Sequence, residues 1–205
     1  MAILSKTLCK LGAMLALGGM LTGCIDADVD VQLTSATTAK ATMTRVMGAD
    51  FYAMIKMNAE QAQGTDAADE DQFCSGGALT ENKDGSATCI TVETGKFADL
   101  TMGSKQQTVV FAPAGPGLVR VSLPTDKMKG EIGADEAMDA ETKKMVEAFF
   151  AGHGVTIRFS GAAVTDTNMT LSADKTSAQT TIKFLDLLQG TGDLPDAYYA
   201  IVRVQ

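Results

Sequence analysis

A short apolar run near the start of the chain determines which residues are left to fold. Residues 11–21 are apolar apart from glycines, and they follow a basic start that contains Lys6 and Lys10. The run is too short to span a bilayer, which needs about 20 apolar residues. A basic start followed by a short apolar run is typical of a secretory signal peptide, which is removed on export. The sequence therefore predicts that residues 1–23 are a signal peptide.

The signal peptide leads into the sequence Leu21-Thr22-Gly23-Cys24. This sequence resembles the lipobox of bacterial lipoproteins, in which two small residues precede a cysteine. The resemblance implies that Cys24 becomes the first residue of the mature protein and carries a lipid on its sulfur. Ile25, and not an aspartate, follows the cysteine, which implies anchoring in the outer membrane, facing the periplasm. We expect a single envelope domain, 24–205, anchored through Cys24.

The chain is acidic, with 17 basic residues, 25 acidic residues and a formal net charge of -8. Loss of Lys6 and Lys10 with the signal peptide makes the mature chain more acidic still. Nucleic acids and anionic membrane surfaces repel such a protein. We therefore expect no nucleic-acid partner, and membrane attachment through the N-terminal lipid.

Two cysteines remain for the folded domain, because Cys9 leaves with the signal peptide and Cys24 is expected to carry the lipid. Cys74 and Cys89 would fold in an oxidising compartment, where such a pair forms a disulfide. The alternative is a metal site, but the single histidine, His153, is far away in the sequence and no third soft ligand lies nearby. We predict a disulfide between Cys74 and Cys89, and neither a metal nor another cofactor.

Alternating apolar and polar residues predict a β-strand at the start of the mature chain. Residues 25–33 place their apolar side chains on one face and Asp26, Asp28 and Asp30 on the other. The three aspartates also fit the start of a calcium loop, but the glycine and the final acid of such a loop are missing. Because the strand follows Cys24 directly, we expect the domain to lie close against the membrane.

Turn signals divide the rest of the chain into hairpins and helices. Residues 50–59 predict a short helix, Asp84-Gly85 predicts a hairpin, and residues 113–117 predict a loop between two further strands. The apolar stripe of residues 134–151 predicts the main helix, and residues 154–161 begin a final β-rich third. The expected fold class is α+β, a curved antiparallel β-sheet of several hairpins packed on one long helix in the C-terminal half, plus a short N-terminal helix.

The main predicted helix supplies the candidate ligand-binding residues. Its apolar stripe contains large side chains that are expected to face the sheet: Met138, Met145, Phe149 and Phe150. A cavity between helix and sheet would bind a lipid or another apolar ligand. The alternative is that these side chains only fill the core. His153 is interpreted as a turn residue and not as a catalytic base, because no serine, cysteine or acid accompanies it in the sequence.

A second set of methionines, Met43, Met47, Met54 and Met57, offers the thioether ligands that copper(I) prefers. The set is divided between two predicted elements and has no histidine beside it. Methionines also fill irregular gaps in protein cores. We interpret these four residues as core residues.

Short segments in the second half of the chain resemble the LppM-type family of bacterial lipoproteins. With the lipobox and the acidic first strand, the similar segments are Phe159-Ser160-Gly161, Asp166-Thr167-Asn168, Ser172-Ala173-Asp174-Lys175-Thr176 and Ile182-Lys183-Phe184. The resemblance implies a helix-grip type α/β domain that binds lipids or glycolipids. The family often has a C-terminal transmembrane segment, and none is expected before Gln205. The predicted disulfide is a further departure from the family.

These features favour a membrane-anchored, non-catalytic envelope lipoprotein that binds a lipid or another apolar ligand between sheet and helix. The alternative is a structural or accessory lipoprotein that binds another envelope protein through a sheet edge or its acidic face. An enzyme is less favoured, because the chain has no Gly-x-Ser-x-Gly elbow, no His-Glu-x-x-His pair and a single histidine. Carboxylates that folding brings together leave no sequence pattern, so glycosidase chemistry stays open at this stage.

Overall fold

A computed structural model of the protein describes residues 26–61, 73–101, 109–126, 141, 144, 147–148, 150–188 and 194–204. These residues contain eleven strands: β1 (Asp26–Leu33), β2 (Thr38–Met47), β3 (Ala78–Glu81), β4 (Ala87–Lys96), β5 (Val110–Gly115), β6 (Leu118–Pro124), β7 (Gly154–Ser160), β8 (Ala163–Thr167), β9 (Thr170–Leu171), β10 (Ser177–Lys183) and β11 (Ala197–Arg203). They also contain the helices α1 (Ala49–Gln61) and α2 (Phe184–Leu188), and a single 3-10 turn, Phe97–Asp99.

The first strand lies in the middle of a seven-stranded sheet with the order β3-β4-β2-β1-β7-β10-β9. On one side β1 forms a hairpin with β2, in which Asp26 lies opposite Val46. On the other side it pairs in parallel with β7, and Ala27 lies opposite Val155. The expectation of a wholly antiparallel sheet is therefore wrong, because β7 enters the sheet from the same end as β1.

Four strands form a second, antiparallel sheet with the order β5-β6-β11-β8. Its apolar face packs on the apolar face of β1, β7 and β10, as in a β-sandwich. Both sheets contribute fully buried side chains to one core, among them Val31, Ile157, Phe159, Val121 and Val202. The alternation of apolar residues along each strand produces this packing, since neighbouring side chains point to opposite faces.

A second, smaller core lies where the end of β2 and the start of β4 meet α1. It contains the buried side chains of Met47, Tyr52, Phe73, Ala87 and Cys89. Tyr52 lies on α1, so this helix covers a part of the first sheet beside the main core. The predicted short helix is thus confirmed, and it has a structural role in closing the sheet.

The predicted α+β fold with one long helix packed on a sheet is wrong. Two sheets dominate the described residues, and no long helix packs on either sheet there. Positions 141, 144, 147, 148 and 150 of the predicted main helix are helical, and its other residues up to 149 lie outside the described part of the chain. The apolar face of the first sheet is covered by the second sheet and α1, which removes the need for a long helix there.

The predicted loop at residues 113–117 begins later than expected. Pro113 belongs to β5 and lies opposite Val119 of β6. Because β5 is an edge strand, a residue without an N–H group is tolerated there.

Within the described ranges, none of the helices has the length and apolarity needed to cross a bilayer.

Candidate functional site

The first strand is fastened at the end that follows Cys24. The Asp26 carboxylate lies 3.1 Å from Nδ1 of His153 and accepts a 3.2 Å hydrogen bond from the backbone N–H of Gly154. His153 itself follows a turn, as predicted, and its N–H donates to the carbonyl of Phe150. The histidine therefore joins the turn before β7 to the start of β1.

The three aspartates of β1 lie on the face of the first sheet that points away from the core. Asp30 lies 3.8 Å from Nη1 of Arg158, whose Nη2 donates to Gln179 Oε1 at 2.9 Å. Partial burial raises the pKa of the Asp30 carboxyl above its ordinary value, and the Arg158 charge opposes that shift. The described residues hold no group of three or more histidine, cysteine or acidic side chains placed to bind a metal ion.

An apolar cleft of about 240 Å³ lies at one edge of the β-sandwich. Its main feature is a pair of stacked aromatic rings, Phe97 and Phe111, with centroids 4.1 Å apart and an angle of 3° between the planes. Phe97 begins the 3-10 turn after β4, and Phe111 belongs to β5 of the other sheet. The other residues that line the cleft are Ala36, Ala112, Pro113, Gly115, Gly117, Leu118 and Val119.

This apolar cleft lies at the end of the first sheet opposite to Asp26, the first residue of β1. Ala36 belongs to the turn between β1 and β2, and Phe97 follows Lys96, which pairs with Thr38 at the start of β2. Asp26 lies at the opposite end of β1. An eight-residue strand spans about 25 Å at 3.3 Å per residue. The cleft is therefore separated from Asp26 by nearly the full length of β1.

The predicted disulfide is present. Cys74 and Cys89 are joined by a 2.05 Å bond, with their Cα atoms 5.4 Å apart. Cys89 is fully buried in the smaller core, and Nη2 of Arg45 lies 3.6 Å from its sulfur. The bridge joins the segment before β3 to β4 and so to the smaller core.

The four methionines considered as copper ligands occupy different environments. Met47 is buried in the smaller core, and Met43 packs against the main core. Met54 and Met57 lie on α1 with 42% and 54% of their surfaces exposed. The core interpretation holds for the first two residues and is wrong for the second two, because the far side of α1 faces solvent.

Of the predicted ligand-binding residues, Phe150 lies within the described part of the chain. It is half-buried in helical backbone, and its ring meets that of Phe184 edge to face, with centroids 5.6 Å apart. Met138, Met145 and Phe149 lie outside the described residues. The described apolar cleft is instead lined by Phe97 and Phe111, which the sequence patterns did not single out. The loop predicted at residues 113–117 was the one sequence signal that could have pointed to Phe111, because it placed this residue beside a turn.

No protein-family model matches the chain, and no curated protein does. A solved structure that is similar to it is the NMR structure of the folded domain of the Mycobacterium tuberculosis LppM protein. This match has a TM-score of 0.47 and 12% sequence identity, and it covers 89% of this chain and 92% of that chain.

Proposed function

We propose that this protein is a lipid-anchored, non-catalytic protein of the bacterial cell envelope that binds an apolar ligand in the cleft beside Phe97 and Phe111. The observation that carries the proposal is this apolar cleft with its stacked aromatic rings. A ligand between a long helix and the sheet is not proposed, because the second sheet and α1 cover that face.

The volume of the cleft limits the size of the ligand that it can hold. Its volume of about 240 Å³ is below the roughly 300–1,000 Å³ of pockets that enclose a drug-sized molecule. The end of one acyl chain, or a compact apolar group, suits such a volume. Each methylene removed from water contributes about 0.8 kcal/mol, so a few carbons give measurable affinity. The ligand class is therefore a lipid tail that enters by its end.

The anchor is proposed to be the lipid on Cys24. Several acyl chains on one cysteine would hold the protein on a membrane essentially permanently, since one chain alone gives only reversible binding. The residue after the cysteine supports the inner leaflet of the outer membrane as the location, with the domain in the periplasm. Cys24→Ser is expected to release the protein into the soluble fraction or to block processing, and unchanged membrane fractionation would count against lipidation.

Filling the mouth of the cleft tests the ligand proposal. Ala36 is exposed and lines the cleft, so Ala36→Phe should occupy its space without disturbing the core. Ala173→Phe makes the same change in an exposed turn that does not line the cleft. The probe is a dansyl-labelled medium-chain fatty acid, titrated into the Cys24→Ser protein so that no detergent is needed.

We expect Ala36→Phe to weaken probe binding and Ala173→Phe to leave it unchanged. Native mass spectrometry with organic extraction of the unsubstituted protein should also show a co-purified lipid. Equal probe binding in both variants would overturn the assignment of the cleft. No binding to either variant or to the unsubstituted protein would overturn the ligand proposal itself.

A second candidate function is the binding of another envelope protein at the edge of the first sheet. β3 covers β4 only from Ala87 to Ile90, and Val92, two residues further, is 52% exposed. Sheet edges of this kind accept an added strand from a partner. A photo-crosslinking amino acid at Val92 should then capture a defined protein in whole cells. The same group at Lys40, which is exposed on β2 but paired on both sides with β1 and β4, is the control away from a sheet edge.

A further inference from the structure

Helix α1 has an apolar surface that faces away from the protein. Met54 and Met57 are 42% and 54% exposed, and a spacing of three residues places them on one side of the helix. The opposite side carries Tyr52, which is buried in the smaller core. Large exposed side chains on a helix that is already fastened by its other face indicate a surface available for contact.

The start of this helix lies at the same end of the sheet as the lipid anchor. α1 begins at Ala49, two residues after the last residue of β2, and Val46 of β2 lies opposite Asp26. Asp26 follows Cys24 by two residues, and two residues span at most about 7 Å. A membrane that holds the acyl chains of Cys24 must therefore lie within a short distance of the first turn of α1.

Charge does not explain attraction of this surface to a membrane. The Lys56 amino group on α1 is paired with the Glu81 carboxylate at 2.9 Å, and the Asp50 carboxylate lies exposed in the first turn. The whole chain is acidic, so attraction to anionic lipids is unfavourable. What α1 offers is apolar, and the flexible thioether chains of methionine adapt well to irregular apolar surroundings.

We propose that the Met54 and Met57 face of α1 contacts the bilayer that holds Cys24, at the boundary between head groups and acyl chains. The inference rests on the proposed lipid anchor, and it adds a second point of attachment that fixes how the domain is oriented. An anchor at one residue leaves the domain free to rotate about that point, whereas two contacts at one end do not. With this orientation the apolar cleft faces away from the anchoring membrane.

Tryptophan fluorescence tests this contact without background, because the chain contains no tryptophan. Met54→Trp and Met57→Trp are made in the full, lipidated chain, which is reconstituted into phosphatidylcholine vesicles with brominated acyl chains. Leu171→Trp is the matched control: Leu171 is 39% exposed and pairs with Ala178 toward the opposite end of the first sheet. Each variant is first floated with its vesicles to measure anchoring by itself.

We expect Met54→Trp and Met57→Trp to show a blue-shifted emission and strong bromine quenching, and Leu171→Trp to show neither. If all three variants float and are quenched equally weakly, the contact of α1 is overturned while the anchor stands. If none of the variants floats, the anchor fails and the contact fails with it. Adding Met57→Asp to the Met54→Trp variant should reduce the bromine quenching, because a carboxylate resists entry into the apolar layer.

Discussion

Nδ1 of His153 lies 3.1 Å from the carboxylate of Asp26, although 127 positions separate the two residues in the chain. The same carboxylate accepts the backbone N–H of Gly154, so it holds both the turn before β7 and the first residue of β7. Asp26 is two residues from Cys24. Any lipid attached to Cys24 is therefore two residues in sequence from a central strand whose first residue is held by this contact.

The first prediction concerns the strength of this contact. A double-mutant cycle of Asp26→Ala and His153→Ala should give a coupling free energy of about 0.2–1 kcal/mol, the range for partly exposed pairs, because both side chains contact solvent. The measurement is denaturant unfolding of the four proteins. Asp28→Ala replaces Asp26→Ala in the control cycle, and equal coupling in both cycles would contradict a specific pair.

The second prediction concerns the close approach of β7 and β10. A Cβ atom at Gly154 would collide with the backbone carbonyl of Ile182, which cannot move aside without breaking the strand pair. Gly154→Ala should therefore lower the free energy of unfolding by about 1–3 kcal/mol, as overpacking does. At Gly95 a Cβ meets no atom within 4 Å, and Gly95→Ala should stabilise the fold by up to about 1 kcal/mol. Similar midpoints of chemical unfolding for the two variants would refute this account.

The third prediction concerns the disulfide. Cys74 and Cys89 are 15 positions apart, and closing a loop of that length stabilises a fold by roughly 3 kcal/mol. The double variant Cys74→Ala with Cys89→Ala should lose stability of that order in urea unfolding. It should also increase hydrogen exchange in β3, because the bridge attaches this hairpin to the smaller core. Unchanged exchange in β3 together with an unchanged midpoint would show that the core alone holds the hairpin.

The fourth prediction concerns the pH dependence of stability. Burial raises the pKa of Asp30 above its ordinary value of 3.8, so the folded state holds the proton more tightly than the unfolded state does. Binding of this proton stabilises the folded state. The stabilisation is fully present below pH 3.8 and is lost as the pH rises through the raised pKa of Asp30. Asp30→Asn removes this loss, so the variant should gain stability relative to the parent protein as the pH approaches neutrality.

Asp174 provides a control of the opposite sign. The Ser172 hydroxyl and then the Thr176 backbone N–H donate to its carboxylate and lower its pKa below 3.8. Its stabilising contribution is present above pH 3.8 and is lost as the pH falls through the lowered pKa. Asp174→Asn should therefore lose stability at neutral pH relative to the parent. Parallel pH profiles for the two variants would count against both assignments.

Features that depend on neighbouring residues were predictable from the sequence. The alternation in residues 25–33 predicted β1 and its polar face. Asp84-Gly85 predicted the β3–β4 turn, where Gly85 has a φ of 86° and the Asp84 carboxylate accepts the N–H of Ser86. Compartment chemistry, and not local geometry, predicted the Cys74–Cys89 bridge. Each of these signals lies within a few residues or follows from the expected oxidising compartment.

Features that depend on distant pairing were not predictable. The parallel pair of β1 and β7 leaves no trace in either strand, because a half-buried strand alternates in the same way beside a parallel or an antiparallel neighbour. The second sheet was not predictable for the same reason. The sequence instead predicted that a long helix covers the core. The cleft requires Phe97 of the turn after β4 to meet Phe111 of the second sheet, so neither residue stood out in its own segment.

The central position of β1 has a consequence for how the protein is made. The first strand to emerge during synthesis receives its β7 partner only after residues 154–160 have also emerged. Long-range pairing of this kind slows folding, because the intervening chain must close a large loop first. The main sheet cannot be completed while the polypeptide is still short. The complete sheet forms only after the residues of β10, Ser177–Lys183, have emerged, so most of the chain is synthesised before its largest sheet can close.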